Sequence, residues 1–217
     1  DEAVRFVTES RDRPFALLLH FRAPHLPYGP VPEADAAALR DVDPAVPDVR
    51  GLDREQVKRW TRDHLASIHS VDRNVGRLLE ALDRLGLRER TVVLFTSDNG
   101  YNIGHHAIHT KGNGHWVAGG VPGPPRPNMF DTSLRVPLLV RGPGLPAGRE
   151  VGEPVTQLDT LPTVLSLLGV PLPRGLRHHG RDVSPLLRGE AVPWPDVVFG
   201  EFDMHHYTLA RMRVVRT

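Results

Sequence analysis

Apolar positions follow two rhythms along this chain. Between residues 53 and 85, Leu65, Ile68, Val71, Val75, Leu78, Leu79 and Leu82 recur at three- and four-residue steps. That spacing predicts one long amphipathic helix, capped by Asp53 and stopped at Gly86. Residues 14–21 (PFALLLHF) and 91–96 (TVVLFT) are instead short continuous apolar runs. Runs of that length predict buried strands, and the order strand, helix, strand predicts a parallel α/β sheet with right-handed crossovers.

The rest of the chain divides by the same logic. Residues 1–7 have the pattern of an amphipathic helix entered midway, and residues 31–49, rich in Pro, Asp and Ala, predict irregular surface chain. A helical turn is expected at 129–134 and a third strand at 136–140. A helix is expected over 159–168, with Pro162 in its first turn and Gly169 ending it. Residues 171–195 predict loop with a short helix near Leu186. Residues 197–202 and 211–215 predict strands of a separate antiparallel unit. Because the first residues look like mid-helix and the last like an interrupted strand, the chain is expected to be part of a longer protein.

Composition narrows the function classes. The chain has 217 residues, 40% hydrophobic and 24% charged, with a net charge of +1. This is an ordinary globular composition. The charge implies no nucleic-acid or membrane partner, and no apolar run has the length of a membrane span. Cysteine is absent, so neither a disulfide nor a thiolate metal site is available within these residues. Arginine outnumbers lysine 25 to 2, which makes Lys58 and Lys111 conspicuous. A lysine is a compact charge that can surrender a proton, which arginine does not readily do.

The candidate chemistry gathers where the second apolar run ends. Residues 91–96 run through Ser97 into Asp98-Asn99-Gly100, and Lys111 follows thirteen positions after Asp98. A carboxylate and an amide oxygen at a strand end suit a hard cation such as Ca²⁺ or Mg²⁺, and a nearby lysine suits an oxyanion. The same three residues are also ordinary turn chemistry, so alone they decide nothing. A long Gly-, His- and Pro-rich loop, 100–128, follows; loops of that length usually carry function. His105, His106, His109 and His115 lie in it without the spacing of a zinc site. Asp159 reads as a helix cap or local structural acid, and Asp72 as structural. His178, His179, His205 and His206 are expected to be exposed.

Taken together and in order, several segments resemble the type I, formylglycine-dependent sulfatases of the alkaline phosphatase superfamily. They are Ala23-Pro-His25-Leu-Pro-Tyr28, residues 68–79, residues 91–100, Gly104-His-His, Lys111-Gly-Asn-Gly, residues 128–137 and residues 159–163. The resemblance implies an alkaline-phosphatase-like three-layer αβα sandwich, present in part, with the start of a small antiparallel C-terminal subdomain. Residues 1–170 would belong to the catalytic domain and 171–217 to the connection and the beginning of that subdomain. It implies that Asp98 and Asn99 are metal ligands for Ca²⁺, with Mg²⁺ the alternative. It implies that His25 and Lys111 act on the sulfate ester, Lys111 touching both sulfate and leaving-group oxygens. His105, His106, His109 and His115 are read as lining or rimming the substrate pocket, with His105 and His106 as its substrate-binding residues.

The family's nucleophile arises from a C/S-x-P-x-R motif, and no such motif occurs in this chain; nor does the family's first pair of metal-binding acids. Both are expected upstream, so the isolated chain is expected to be inactive. The implied activity is sulfuric ester hydrolysis, on a small-molecule or glycan sulfate ester. The alternatives are a phosphodiesterase or phosphonate monoester hydrolase of the same superfamily, and a non-catalytic homologue that binds sulfated glycans. The resemblance favours a periplasmic or extracellular setting. Residues 115–126 look like an insertion that either reshapes the pocket mouth or forms a lid.

Overall fold

The computed structural model describes residues 1–205 and 208–217. His206 therefore lies outside the described residues. The chain separates into two compact units: residues 1–88 with 99–135, and residues 89–98 with 136–217.

The first unit is built on the predicted long helix. Helix α1 spans Glu2–Glu9, α2 spans Glu33–Leu39 and α3 spans Arg54–Arg84. Asp53 caps α3, its carboxylate accepting from Gln56 N at 2.9 Å, and Gly86 ends it with φ +66°. The apolar stripe of α3 gives it one face to cover: α1 and α2 pack against it, and Val57, Val71 and Leu82 are buried. Near its N-terminal half lies a core of Tyr28, Leu52, Val57, Ile103 and Ala118. The unit closes with a short helix, α4, at Asp131–Leu134.

Helix α2 corrects the expectation of irregular chain over 31–49. The short run Glu33–Leu39 is held by Asp35, which is 1% exposed. Its carboxylate receives Arg73 Nη2 at 2.8 Å and Arg73 Nε at 3.0 Å, and sits 3.1 Å from His69 Nδ1. The run EADAAAL consists largely of good helix formers, masked in the sequence by the prolines of the wider segment, and the buried acid with its two-pronged arginine partner fixes this short helix against α3.

The second unit contains strand β1, Val93–Thr96, paired with β2, Leu138–Arg141. The pair is antiparallel, with Val93 opposite Arg141 and Thr96 opposite Leu138. This corrects the expected parallel pairing of residues 91–96 with residues 14–21. Among the described residues, 14–21 form no ladder, and Leu18 is 78% exposed. An apolar run records a preference for extended, covered chain; it does not name the partner strand.

Helix α5, Thr160–Leu167, follows a capping box. Asp159 accepts from Thr156 N at 2.7 Å, and its other oxygen from Arg181 N at 2.7 Å. This is the structural acid role expected of it. Helix α6 spans Ser184–Arg188. Strands β3, Val198–Met204, and β4, Ala210–Arg216, form the expected antiparallel pair at the C-terminal end.

Candidate active site

In the second unit, β1 delivers Asp98 two residues beyond its end, where the carboxylate is exposed. Asn99 opens the first unit's second segment. Its amide NH2 donates to Gly100 O at 3.2 Å. Gly100 is required for a reason other than turn geometry. Its N–H donates to Ser133 O at 2.9 Å, and a Cβ built there would lie 2.3 Å from Thr132 O. Only glycine lets the chain after Asn99 come so close to α4.

Lys111 is half-buried in a turn closed by Gly114 N donating to Lys111 O at 2.9 Å. The turn is laced to a neighbouring segment: Arg126 N donates to Gly114 O, and Asn128 N to Gly112 O, both at 2.8 Å. A Cβ on Gly114 would stand 1.8 Å from Arg126 O, so this approach also needs glycine. Among the described residues, no carboxylate pairs with Lys111 Nζ, whereas Lys58 is ion-paired to Asp43 at 2.7 Å. The two lysines therefore have different occupations: Lys58 ties surface elements, and Lys111 keeps its charge for something else.

A buried polar network that sequence reasoning missed holds this region. Asn102, 0% exposed, donates through Nδ2 to Thr110 O at 2.9 Å and to Ser133 Oγ at 2.8 Å. Its Oδ1 accepts from Thr132 Oγ1 at 2.6 Å, and Ser133 Oγ donates to Asn128 Oδ1 at 2.7 Å. Asn102 lies three positions after Asn99, and Thr110 immediately precedes Lys111. The only sequence signal was an asparagine inside a loop whose length alone marked it as functional.

His25 is exposed on the proline-rich loop, which contains cis bonds before Pro24, Pro27 and Pro30. Its Nδ1 lies 2.7 Å from Leu26 O. That contact assigns the proton to Nδ1 and leaves Nε2 as the ring's chemically available nitrogen.

The histidine loop resolves into different roles. His105 and His106 are exposed. Partial desolvation and the neighbouring His106 lower the pKa of His105. The His106 ring stacks on Phe130 with centroids 3.7 Å apart, and the backbone at His106 and Ala107 takes φ of 54° and 62°. Two successive non-glycine residues in the left-handed region are strained backbone, of a kind concentrated at functional loops. His109, by contrast, is buried and belongs to an aromatic cluster: it stacks on Trp60 at 3.8 Å, and its Nε2 lies 3.0 Å from Tyr28 Oη. Burial, with a contribution from His64, pushes His109 down to about 4, and burial raises the Tyr28 phenol. His115 lies beside Trp116, their ring centroids 5.9 Å apart. The 115–126 segment is pinned: Val117 bridges to Ile108, Ala118 is buried, and Gly119 O accepts from Asp53 N at 3.0 Å.

Asp98 and Asn99 fit a hard divalent cation in donor type, two oxygens of the kind Ca²⁺ and Mg²⁺ prefer. Two donors fall short of a full shell, and among the described residues no group of three or more His, Cys, Asp or Glu is placed to hold a metal ion.

Comparison with known proteins gives this site its family. The sulfatase family model matches residues 1–170, and a model of the C-terminal part of N-sulphoglucosamine sulphohydrolase matches residues 126–217. The chain belongs to the sulfatase family. It is 36% identical to mouse steryl-sulfatase over 217 residues, covering all of this chain and 30% of that protein.

Among solved structures it resembles the yidJ protein of Bacteroides fragilis, with a TM-score of 0.77 and 26% identity. That match covers all of this chain and 46% of the other. It also resembles a phosphonate monoester hydrolase of Agrobacterium radiobacter, with a TM-score of 0.66 and 26% identity, over 93% of this chain and 44% of that one. The fold class is thus the alkaline-phosphatase-like αβα sandwich that the sequence resemblance implied, present in part. The chain spans about 30% of the length of the curated relatives it matches.

Proposed function

We propose that the full-length protein carrying this chain hydrolyses a sulfate ester, with His25, Asp98, Asn99 and Lys111 as this chain's share of the active site. The observation that carries the reading is Lys111: a half-buried lysine with no carboxylate partner among the described residues, in a turn laced by glycine contacts, within a sulfatase-family chain. A sulfate ester expels an alkoxide, which leaves poorly unless protonated. Lys111 Nζ both donates hydrogen bonds to a sulfate oxygen and supplies a proton toward the leaving oxygen. A positioned acid of this kind is worth about 10²–10⁴ in rate. His25, with Nδ1 turned to Leu26 O, offers Nε2 to a second sulfate oxygen. His105 and His106, exposed in the same loop as Lys111, line the pocket rim.

Asp98 and Asn99 would hold the divalent ion, Ca²⁺ in our reading and Mg²⁺ as the alternative. That ion supplies fixed positive charge beside the transferred group. The nucleophile, a formylglycine, would come from upstream, since these residues contain neither cysteine nor the C/S-x-P-x-R motif. The 217 residues alone are therefore expected to show no turnover. We assign residues 1–170 to the catalytic domain and 171–217 to the connection and the start of the C-terminal subdomain. The substrate is a small-molecule or glycan sulfate ester, met in a periplasmic or extracellular setting.

A second reading, phosphonate monoester hydrolysis, draws on the likeness to the Agrobacterium radiobacter enzyme. The test is to assay the full-length protein with an aryl sulfate and an aryl phosphonate monoester, before and after chelation. We expect sulfate hydrolysis to dominate, to be lost with the metal and to return with Ca²⁺. Faster phosphonate turnover would favour the second reading, and no turnover of either would leave a sulfated-glycan-binding homologue.

A further inference from the structure

We propose that Tyr28 and His109 form a positioning pair that locks the His25 loop to the Lys111 loop, so that the two groups act on one substrate. The inference rests on the sulfatase reading above and adds residues to which that reading gives no role. Tyr28 lies three positions after His25, and His109 two before Lys111; they are 81 residues apart in sequence. Their side chains meet at 3.0 Å, and they are only 6% and 7% exposed. The Tyr28 hydroxyl also meets that of Tyr101 in the same loop as His109, so both contacts of this hydroxyl tie the His25 loop to the Lys111 loop.

The surroundings of the pair make the bond a fixed one. Helix α3 supplies the floor: Trp60 stacks on the His109 ring, and His64 meets the Tyr28 ring edge-on with centroids 5.1 Å apart. Tyr101 packs against both rings from the other side, at 6.4 Å from Tyr28 and 5.9 Å from His109. The backbone beyond His109 is tied down as well, since His109 N donates to Trp116 O at 3.0 Å and Asn102 holds Thr110 O at 2.9 Å. The proline-rich loop has far fewer such ties. Near His25 these are the local bonds from His25 N to Arg22 O and between the His25 ring and Leu26 O, and one from His64 of α3 to the Pro24 backbone, which reaches α3 and not the Lys111 loop. Tyr28 is therefore the anchor through which the His25 loop is referred to the Lys111 turn.

Two catalytic groups on separate loops are useful only if their separation is held to a fraction of an ångström, and a displacement of about 1 Å can cost about 100-fold. The hydroxyl of Tyr28 and the ring nitrogen of His109 touch no substrate in this scheme. They act by fixing where His25 and Lys111 stand.

The experiment uses the full-length protein and three variants. Tyr28→Phe deletes only the hydroxyl. His109→Leu deletes the bonding nitrogen while keeping an apolar side chain in the cluster. His109→Gln keeps a hydrogen-bonding group near the place of Nε2. With an aryl sulfate, we expect Tyr28→Phe and His109→Leu each to lower kcat about 10- to 100-fold with KM nearly unchanged. We expect the double variant to be no worse than the poorer single variant, and His109→Gln to recover most of the loss. Amide hydrogen exchange on the same proteins should quicken at residues 22–29 in Tyr28→Phe while α3 keeps its protection.

A Tyr28→Phe protein with kcat within about twofold of wild type, or additive losses in the double variant, would overturn the pairing. A loss of rate accompanied by an equal loss of α3 protection would also overturn it, because the pair would then be serving general stability. If the wild type turns over no sulfate ester, the sulfatase reading fails. The exchange experiment still decides the lock, since unchanged exchange at residues 22–29 in Tyr28→Phe would remove it.

Discussion

Gly100 and Lys111 show two ways in which a residue earns its place. Gly100 is needed for the space it leaves: its φ is not in the left-handed region, and the constraint is the carbonyl of Thr132, 2.3 Å from where a Cβ would be. Gly100→Ala must push α4 away from the backbone at residue 100. We expect about 1–3 kcal/mol of destabilisation in chemical denaturation, with loss of activity in the full-length protein beyond what stability explains. A variant as stable as wild type would show that the backbone there gives way freely.

The Asp98-Asn99-Gly100 run and Lys111 were legible in sequence because an acid, an amide and a rare lysine stand out against an arginine-rich background. The reason for Gly100 was not legible. It depends on Thr132, which lies 32 residues away. Asn102 was hidden for the same reason, since its partners Thr110, Thr132 and Ser133 come together only in the fold.

Among the elements, α3 was readable almost to the residue, because its cap, its apolar stripe and its stop are all local signals. Helix α2 was not, because its Ala-rich run sits in a segment broken by prolines, and what fixes it against α3 includes a long-range acid. Arg73 beside Asp35 keeps that carboxyl well below the usual carboxylate range, against the opposing effect of desolvation and with further help from His69. Asp35→Asn leaves the Arg73 guanidinium without its partner. We expect the thermal midpoint to fall by several degrees, with proteolytic cleavage newly appearing at 33–42; an unchanged midpoint would mean that α2 is held by packing alone. The strands carry the complementary lesson. Residues 91–96 and 136–140 were found from their apolar runs, yet they pair antiparallel with each other. Residues 14–21, with the same composition, form no ladder among the described residues. Apolar continuity identifies extended chain and leaves the pairing to the rest of the fold.

For the whole molecule, the buried histidines make stability depend on pH. His109 has its folded pKa depressed to about 4 by burial, and His64 is lowered by burial as well. Between the ordinary imidazole value near 6.5 and about 4, the unfolded chain binds protons that the folded chain refuses. Stability is thus complete above about pH 6.5 and declines as pH falls through that window. We expect the loss due to His109 to be about 2 kcal/mol, discounted for residual solvent screening. Urea unfolding of the chain at pH 7.5, 6, 5 and 4 checks this. Replacing His109 by Gln should flatten that part of the curve, and a wild-type curve already flat from pH 6.5 to 4.5 would contradict the burial argument.

If Lys111 protonates the departing alkoxide, the rate must depend on the leaving group. In the full-length protein, kcat/KM for a series of sulfate esters spanning activated phenols to alkyl alcohols should be compared between wild type and Lys111→Ala. The account predicts a modest loss for the most acidic phenols and a loss of about 10²–10⁴ for the alkyl alcohols. The variant's rates would then fall steeply with rising leaving-group pKa. A uniform loss across the series would reduce Lys111 to a binding cation, and an unchanged series would take it out of the active site.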